Sequence, residues 1–202
     1  MQYDPVKKKL GNIFDQSTIL RKIFYSLLDI LLLRAWHIRK ELKKNSDKIP
    51  DNCNILDAGS GFGQYSYYMS KTFKNCSVKG IDIKEEQIED CNLFFKKLKK
   101  NDRIKFEVAD LEKFNEENKY SLILSVDVME HIPNDVKVFG NFSSSLKAGG
   151  ILLISTPSDK GGSDVHEDSD HSFVDEHVRD GYNIEDIKNK LLSSGFSKVN
   201  AR

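Results

Sequence analysis

A short apolar run, Asn54 to Ala58, gives way to Gly59-Ser60-Gly61-Phe62-Gly63 and then to a stretch with helical spacing, Gln64 to Phe73. That order leaves little freedom. The run reads as a buried strand, and the glycines let the backbone turn tightly and let a ligand approach without meeting a Cβ. Downstream, the hydrophobic period keeps switching between two and 3.6. Ser77 to Asp82, Ile104 to Val108 and Tyr120 to Val126 read as strands. Glu85 to Lys100 reads as a helix with Ile88, Cys91, Phe95 and Leu98 on one face. Asp135 to Lys147 reads as another, with Val138, Phe139, Phe142 and Leu146 inward and Gly149 and Gly150 as its stop. Ile151 to Ser155 is the next strand. Asn183 caps a last helix, with Asp186 in capping-box position and Gly195 at its end. Strands alternating with helices predict an α/β fold: a Rossmann-like, doubly wound, mainly parallel sheet with both faces covered.

Before Pro50 the pattern differs. Leu20, Ile23, Phe24, Leu27, Leu31, Ala35, Ile38 and Leu42 follow three-and-four spacing, and Leu28, Ile30, Leu32, Leu33 and Trp36 widen the stripe. Basic residues surround it. The spacing predicts a helix or helix pair packed on the domain; a lid over the site and a helix lying on an anionic membrane are the sharper alternatives. We therefore divide the chain into a helical extension, 1–50, and a ligand-binding domain, 51–202.

The 202 residues suit one domain, and 39% hydrophobic content supports a core. Lys plus Arg equals Asp plus Glu at 31 each, which argues against a nucleic-acid partner. The charge is unevenly spread. Residues 1–50 hold 11 basic and 5 acidic side chains, and residues 159–180 hold 2 basic and 8 acidic. The acidic segment is expected to dock on the basic helix as a two-part lid, or to face water while the helix meets lipid. Cys53, Cys76 and Cys91 include no CxxC pair, so a disulfide framework is not expected and a reducing cytoplasm is. No secretory signal is visible. The most apolar stretch, Ile23 to Leu33, is too short to span a bilayer and contains Asp29.

Three carboxylates give the glycine turn its meaning. Asp57 stands two residues before Gly59. Asp82 ends the second strand, where a carboxylate can accept both ribose hydroxyls, and Asp110 follows the third, within reach of a base. Dinucleotide-binding domains share this logic but use GxGxxG to hold a pyrophosphate. Here the pattern is GxGxG behind an acidic residue. Asp57 would repel a pyrophosphate and suits an ammonium-bearing ligand.

These motifs resemble class I S-adenosylmethionine-dependent methyltransferases from about Asn54 to Ser155, and more weakly to about Phe196. Asp57 to Gly63 resembles the family's first motif, Gly80-Ile81-Asp82-Ile83 the ribose-binding strand end, and Ala109-Asp110-Leu111 the adenine-contacting turn. Ser125-Val126-Asp127-Val128-Met129-Glu130-His131-Ile132 resembles the fourth-strand motif of the small-molecule branch, which includes quinone-biosynthesis O-methyltransferases. Leu146 to Gly150 resembles the turn into the fifth strand, with Ala148 where that branch commonly has proline. The family's sheet adds a sixth strand and an antiparallel seventh, whereas this sequence stops at Val199-Asn200-Ala201-Arg202. A longer natural protein is expected.

The resemblance implies S-adenosyl-L-methionine as cofactor, with S-adenosyl-L-homocysteine as product. Asp57, Gly59, Ser60, Gly61 and Gly63 would cradle the methionine side, Asp82 would clamp the ribose, and Ile83, Ala109, Asp110 and Leu111 would form the adenine pocket. Ser125 and Val126 would line the sulfonium side through their carbonyls. The acceptor expected is a small molecule or lipid-like compound methylated on oxygen, with His131 as the base. His166, His171 and His177 are lesser candidates. Asp127, Glu130 and His131, completed by His177, also resemble a divalent-ion site of some relatives, but the favoured reading holds no metal. An N-methyltransferase, an RNA 2′-O-methyltransferase and a non-catalytic cofactor-binding module are the alternatives.

Overall fold

The computed structural model describes residues 17–160, 178–179 and 181–202. Two helices come first, α1 (Thr18–Leu31) and α2 (Leu33–Lys44). They are followed by β1 (Asn54–Ala58), α3 (Gln64–Thr72), β2 (Ser77–Asp82), α4 (Glu85–Lys97), β3 (Ile104–Val108), β4 (Tyr120–Val126), α5 (Asp135–Ser145), β5 (Leu146–Ser155) and α6 (Ile184–Ser193). The five strands pair in parallel, in the order β3-β2-β1-β4-β5. All their carboxyl ends therefore lie on one edge. The winding reverses between β1 and β4, and an open α/β sheet binds ligands in the crevice at such a reversal. This is the doubly wound parallel sheet that the alternating periodicity predicts.

Two apolar layers hold the sheet, because both faces of a parallel sheet must be covered. One contains Ile55, Leu122 and Leu124 from the strands against Met69 of α3, Ile88 and Phe95 of α4, and Tyr25, Ile38 and Leu42 of the two N-terminal helices. The other packs Leu56, Ala58 and Ile123 against Val138, Phe139 and Phe142 of α5 and Ile187 and Leu191 of α6. Cys53 and Cys76, 23 residues apart in sequence, meet as free buried thiols with sulfurs 2.7 Å apart. Burial, helped by the neighbouring thiol, pushes Cys53 up to about 12.

The structure corrects three expectations. Helix α4 ends at Lys97 rather than Lys100, with Lys99 already left-handed at φ +53°. Helix α5 ends at Ser145, and Gly149 and Gly150 do not stop it: they lie inside β5, which begins at Leu146. There they absorb a register shift opposite Tyr120 and Leu122. A Cβ on Gly150 would lie 2.9 Å from the Lys147 carbonyl oxygen, so the close backbone approach demands glycine. The third correction concerns α1. Leu20, Ile23, Leu27 and Leu31 face outward, and the buried positions are Arg21 and Tyr25. The surface that α1 meets is a ridge of carbonyls, at Phe62 and Asp90, which a guanidinium and a phenol satisfy better than leucines. In α2 the expected Ala35, Ile38 and Leu42 do turn inward.

Candidate active site at the strand tips

The turn after β1 is built from left-handed glycines. Gly59 (φ +78°) is packed so closely by the loop after β4 that a Cβ would lie 2.2 Å from Val128 Cγ2. Gly61 (φ +48°) differs: a Cβ there would meet only Gln87 Oε1, at 3.9 Å, so its bare face fronts open space. Gly63 packs against α4, with Cys91 Sγ 3.1 Å from an added Cβ. The Gly59 and Ser60 amides both donate to the Ile81 carbonyl, at 2.8 and 2.9 Å, and tie the turn to β2. From outside, Arg21 Nη2 donates to the Phe62 carbonyl at 2.9 Å, and the Tyr25 hydroxyl donates to the same oxygen. The sequence marks Arg21 only as a flanking cation; in the fold it is a buried prop of the glycine turn.

Each of the three carboxylates takes a different state. Asp57 is buried and accepts from Ser66 Oγ at 2.5 Å; burial pushes its carboxyl up to about 6, against the opposing pull of the Ser66 hydrogen bonds. Asp82 accepts from the Gly61 amide at 2.9 Å and the Lys84 amide at 3.1 Å. A carboxylate offers about four lone-pair sites, so Asp82 can still receive two hydroxyls. Asp110 accepts from the Glu112 amide at 2.9 Å and pairs with Lys113. That amide bond, followed by the lysine, holds its carboxyl below the usual range. The Ala109 amide donates to the Asp82 carbonyl at 3.0 Å, so the β2 and β3 tips are joined. Ile83 stands 62% exposed beside them, an uncovered apolar face at the edge of the crevice. Leu111, by contrast, sends its side chain into the α5 layer, and its carbonyl accepts from Asn141.

The β4 tip closes the other side. Ser125 pairs with Ala58 in register and Val126 with Ser155. The hydroxyls of Ser60 and Ser125 are buried without a hydrogen-bond partner among the described residues. Asp127 is left-handed at φ +53°, donates its amide to the Ser155 carbonyl, and receives Arg34 from the first turn of α2. A short 3-10 turn, Met129–His131, follows. Glu130 is buried and accepts from Thr156 Oγ1 at 3.1 Å; burial, reinforced by Asp127, raises its carboxyl. His131 is exposed at the crevice. No three His, Cys, Asp or Glu side chains among the described residues form a metal-holding group, and His166, His171 and His177 lie outside those residues. So does most of the acidic segment whose docking on the basic helix the sequence suggested.

One anchor escaped the sequence reading. Arg179 donates to the Ile132 carbonyl at 2.8 Å and pairs with the buried Asp135 at 2.5 Å. The same carboxylate accepts from the Tyr182 hydroxyl at 2.8 Å and from Lys190 Nζ at 3.0 Å. Val178 donates its amide to the Glu130 carbonyl at 3.1 Å. Burial alone would raise Asp135, but Lys190, Tyr182 and Arg179 outweigh it and hold it low. The segment after the acidic run is thus fastened across the turn that carries His131. The available signal was an arginine and a tyrosine, three residues apart, at the end of an otherwise acidic stretch.

Residues 49–192 match a family described as a methyltransferase domain. The chain belongs to that family. It is 36% identical over 122 residues, 59% of its length, to a ubiquinone biosynthesis O-methyltransferase of Pelagibacter ubique (strain HTCC1062), covering 49% of that protein. It is 32% identical over 149 residues, 72% of its length, to phosphoethanolamine N-methyltransferase 1 of Triticum aestivum, covering 28% of that protein. The chain spans half or less of the length of these relatives. In fold it is similar to Haemonchus contortus phosphoethanolamine N-methyltransferase 2, solved in complex with S-adenosyl-L-methionine: TM-score 0.63, 23% identity, 80% of this chain and 37% of that one.

In this methyltransferase domain, Asp57, Gly59, Ser60, Gly61, Gly63, Asp82, Ile83, Ala109, Asp110, Ser125, Val126 and His131 all lie at the carboxyl edge of the sheet or in the turns that leave it. Leu111 reaches that edge through its backbone only.

Proposed function

We propose that this domain binds S-adenosyl-L-methionine across the strand tips and serves methyl transfer to an oxygen of a small-molecule or lipid-like acceptor. The observation that carries the reading is the open face of Gly61 beside Asp82, a carboxylate with acceptor capacity to spare. Two buried, unpartnered hydroxyls at the same edge fit a polar ligand. When bound, the cofactor supplies a methyl made electrophilic by its sulfonium.

The chain's own residues do the rest. Asp82 accepts the ribose hydroxyls, and Ile83, Ala109, Asp110 and the Leu111 backbone bound the adenine. Asp57, Ser60 and the glycine turn face the methionine end, where an ionised Asp57 favours its ammonium. Ser125 and Val126 present backbone to the sulfonium. His131, on a turn braced by Arg179, takes the acceptor's proton as the new bond forms, and the enzyme's main contribution is alignment of the acceptor oxygen behind the methyl carbon. Helices α1 and α2 act as a cover, since Arg34 reaches Asp127 at the β4 tip. A second reading, transfer to nitrogen, is favoured by the phosphoethanolamine relative.

Incubation with methyl-labelled cofactor and parallel phenolic and amine acceptors tests the choice. The oxygen reading expects label on the phenol and a fall of about 10²-fold in kcat for His131→Ala with cofactor binding unchanged. Label on the amine alone, indifferent to His131→Ala, gives the nitrogen reading. Cofactor binding with no labelled product on any acceptor reduces the domain to a binding module.

A further inference from the structure

We propose that the outer face of α1 and α2 is a docking surface for an anionic lipid bilayer. The exposed large apolar residues of α1 are Ile19, Leu20, Ile23, Leu27, Ile30 and Leu31, and at 3.6 residues per turn they fall within about 120° of the helix circumference. Their exposure is large: 67% at Ile19, 56% at Ile23 and 79% at Ile30. Leu33, at 81%, and Trp36, at 55%, continue the patch onto α2. A contiguous apolar stripe on a water-soluble surface marks a contact site.

Charge selects the occupant. Residues 18–44 carry seven basic side chains against two acidic ones, Asp29 and Glu41; Arg21 is buried and Arg34 and Arg39 pair with Asp127 and Asp29, which leaves Lys22, Lys40, Lys43 and Lys44 for the outer surface. Both acidic groups are engaged inside the protein, Asp29 by Arg39 and Gln64 and Glu41 by Arg202. Lys40, Lys43 and Lys44 are exposed, and Lys40 Nζ sits 5.1 Å from the centre of the Trp36 ring. Tryptophan and lysine beside an aliphatic stripe suit a headgroup layer: the stripe enters the acyl boundary while the cations meet anionic lipid. A second copy seated on the same face would bring two cationic rims together. No described helix is long and apolar enough to cross a membrane, so the contact is peripheral. The inference is independent of the methyl-transfer reading.

The test is sedimentation of the full chain with vesicles of phosphatidylcholine alone and with phosphatidylglycerol added. Two variants accompany the wild type, Ile23→Asp/Ile30→Asp and Lys40→Glu/Lys44→Glu, all at exposed positions and checked for folding by circular dichroism. The wild type should pellet with anionic and not with neutral vesicles, and each variant should lose at least about tenfold in vesicle affinity. Wild type left in the supernatant with anionic vesicles overturns the proposal, as does pelleting unchanged in either variant. So does a wild-type dimer in light scattering that Ile23→Asp/Ile30→Asp converts to monomer while vesicle binding is absent, which would assign the face to a second copy.

Discussion

Asp57 carries the sharpest consequence at the scale of a single residue. Its carboxyl is pushed up to about 6 in the fold, against 3.8 for a free aspartate, because ionisation costs more in a buried site than the Ser66 bonds return. Between those values the folded chain holds more protons than the unfolded chain. Its contribution to stability is therefore full below the lower value and is lost as pH rises through the upper one. By neutral pH the buried charge costs about 3 kcal/mol. We predict that Asp57→Asn raises the melting temperature at pH 7.5 by about 5 °C, and by less at pH 5, since Asn still accepts from Ser66. Thermal melts at the two pH values check this, and a lower melting temperature at pH 7.5 would refute it. If the ionised form meets the ligand's ammonium, S-adenosylhomocysteine affinity should drop about tenfold from pH 7.5 to 5, where about a tenth of Asp57 is ionised.

Among the elements, the turn after β4 owes its shape to residues distant in sequence. Arg179 reaches the Ile132 carbonyl and Asp135, and Tyr182 and Lys190 complete the shell. Arg179→Ala leaves Asp135 with two partners and frees the His131 turn. It should cost about 2 kcal/mol in stability and reduce kcat by tenfold or more with cofactor affinity unchanged, while Arg179→Lys, which keeps the charge, recovers part of kcat. A loss confined to stability would mean the anchor is structural only. Urea unfolding alongside steady-state kinetics separates the two. The same pattern explains what could be read in advance. Strands β1 to β4 were legible to the residue because each is a short apolar or alternating run bounded by turn residues. The start of β5 was not: Gly149 and Gly150 look like a helix stop, and only pairing with Tyr120 and Leu122 turns them into a bulge inside a strand. Nor was the facing of α1, since apolar spacing reveals a stripe but not which side finds a partner.

For the whole molecule, the parallel strand order β3-β2-β1-β4-β5 brings Asp57, Asp82 and Asp110 to one edge. Those carboxylates and the glycine turn were legible because each is tied to a strand end. Arg21, Arg34 and Arg179 were not, because their partners, Phe62, Asp127 and Asp135, lie 41, 93 and 44 residues away. Long-range polar contacts leave no periodic trace, whereas a strand-turn-helix does. On the proposed function, the strand tips of this methyltransferase domain form an S-adenosyl site closed at the ribose by Asp82. Calorimetric titration with S-adenosylhomocysteine of the wild type and of Asp82→Ala tests it most directly. The prediction is saturable one-to-one binding by the wild type and a loss of at least about tenfold in Asp82→Ala, with folding of the variant checked by circular dichroism. A folded wild type that takes up no S-adenosylhomocysteine at millimolar concentration, or an Asp82→Ala variant that binds it equally well, would contradict it.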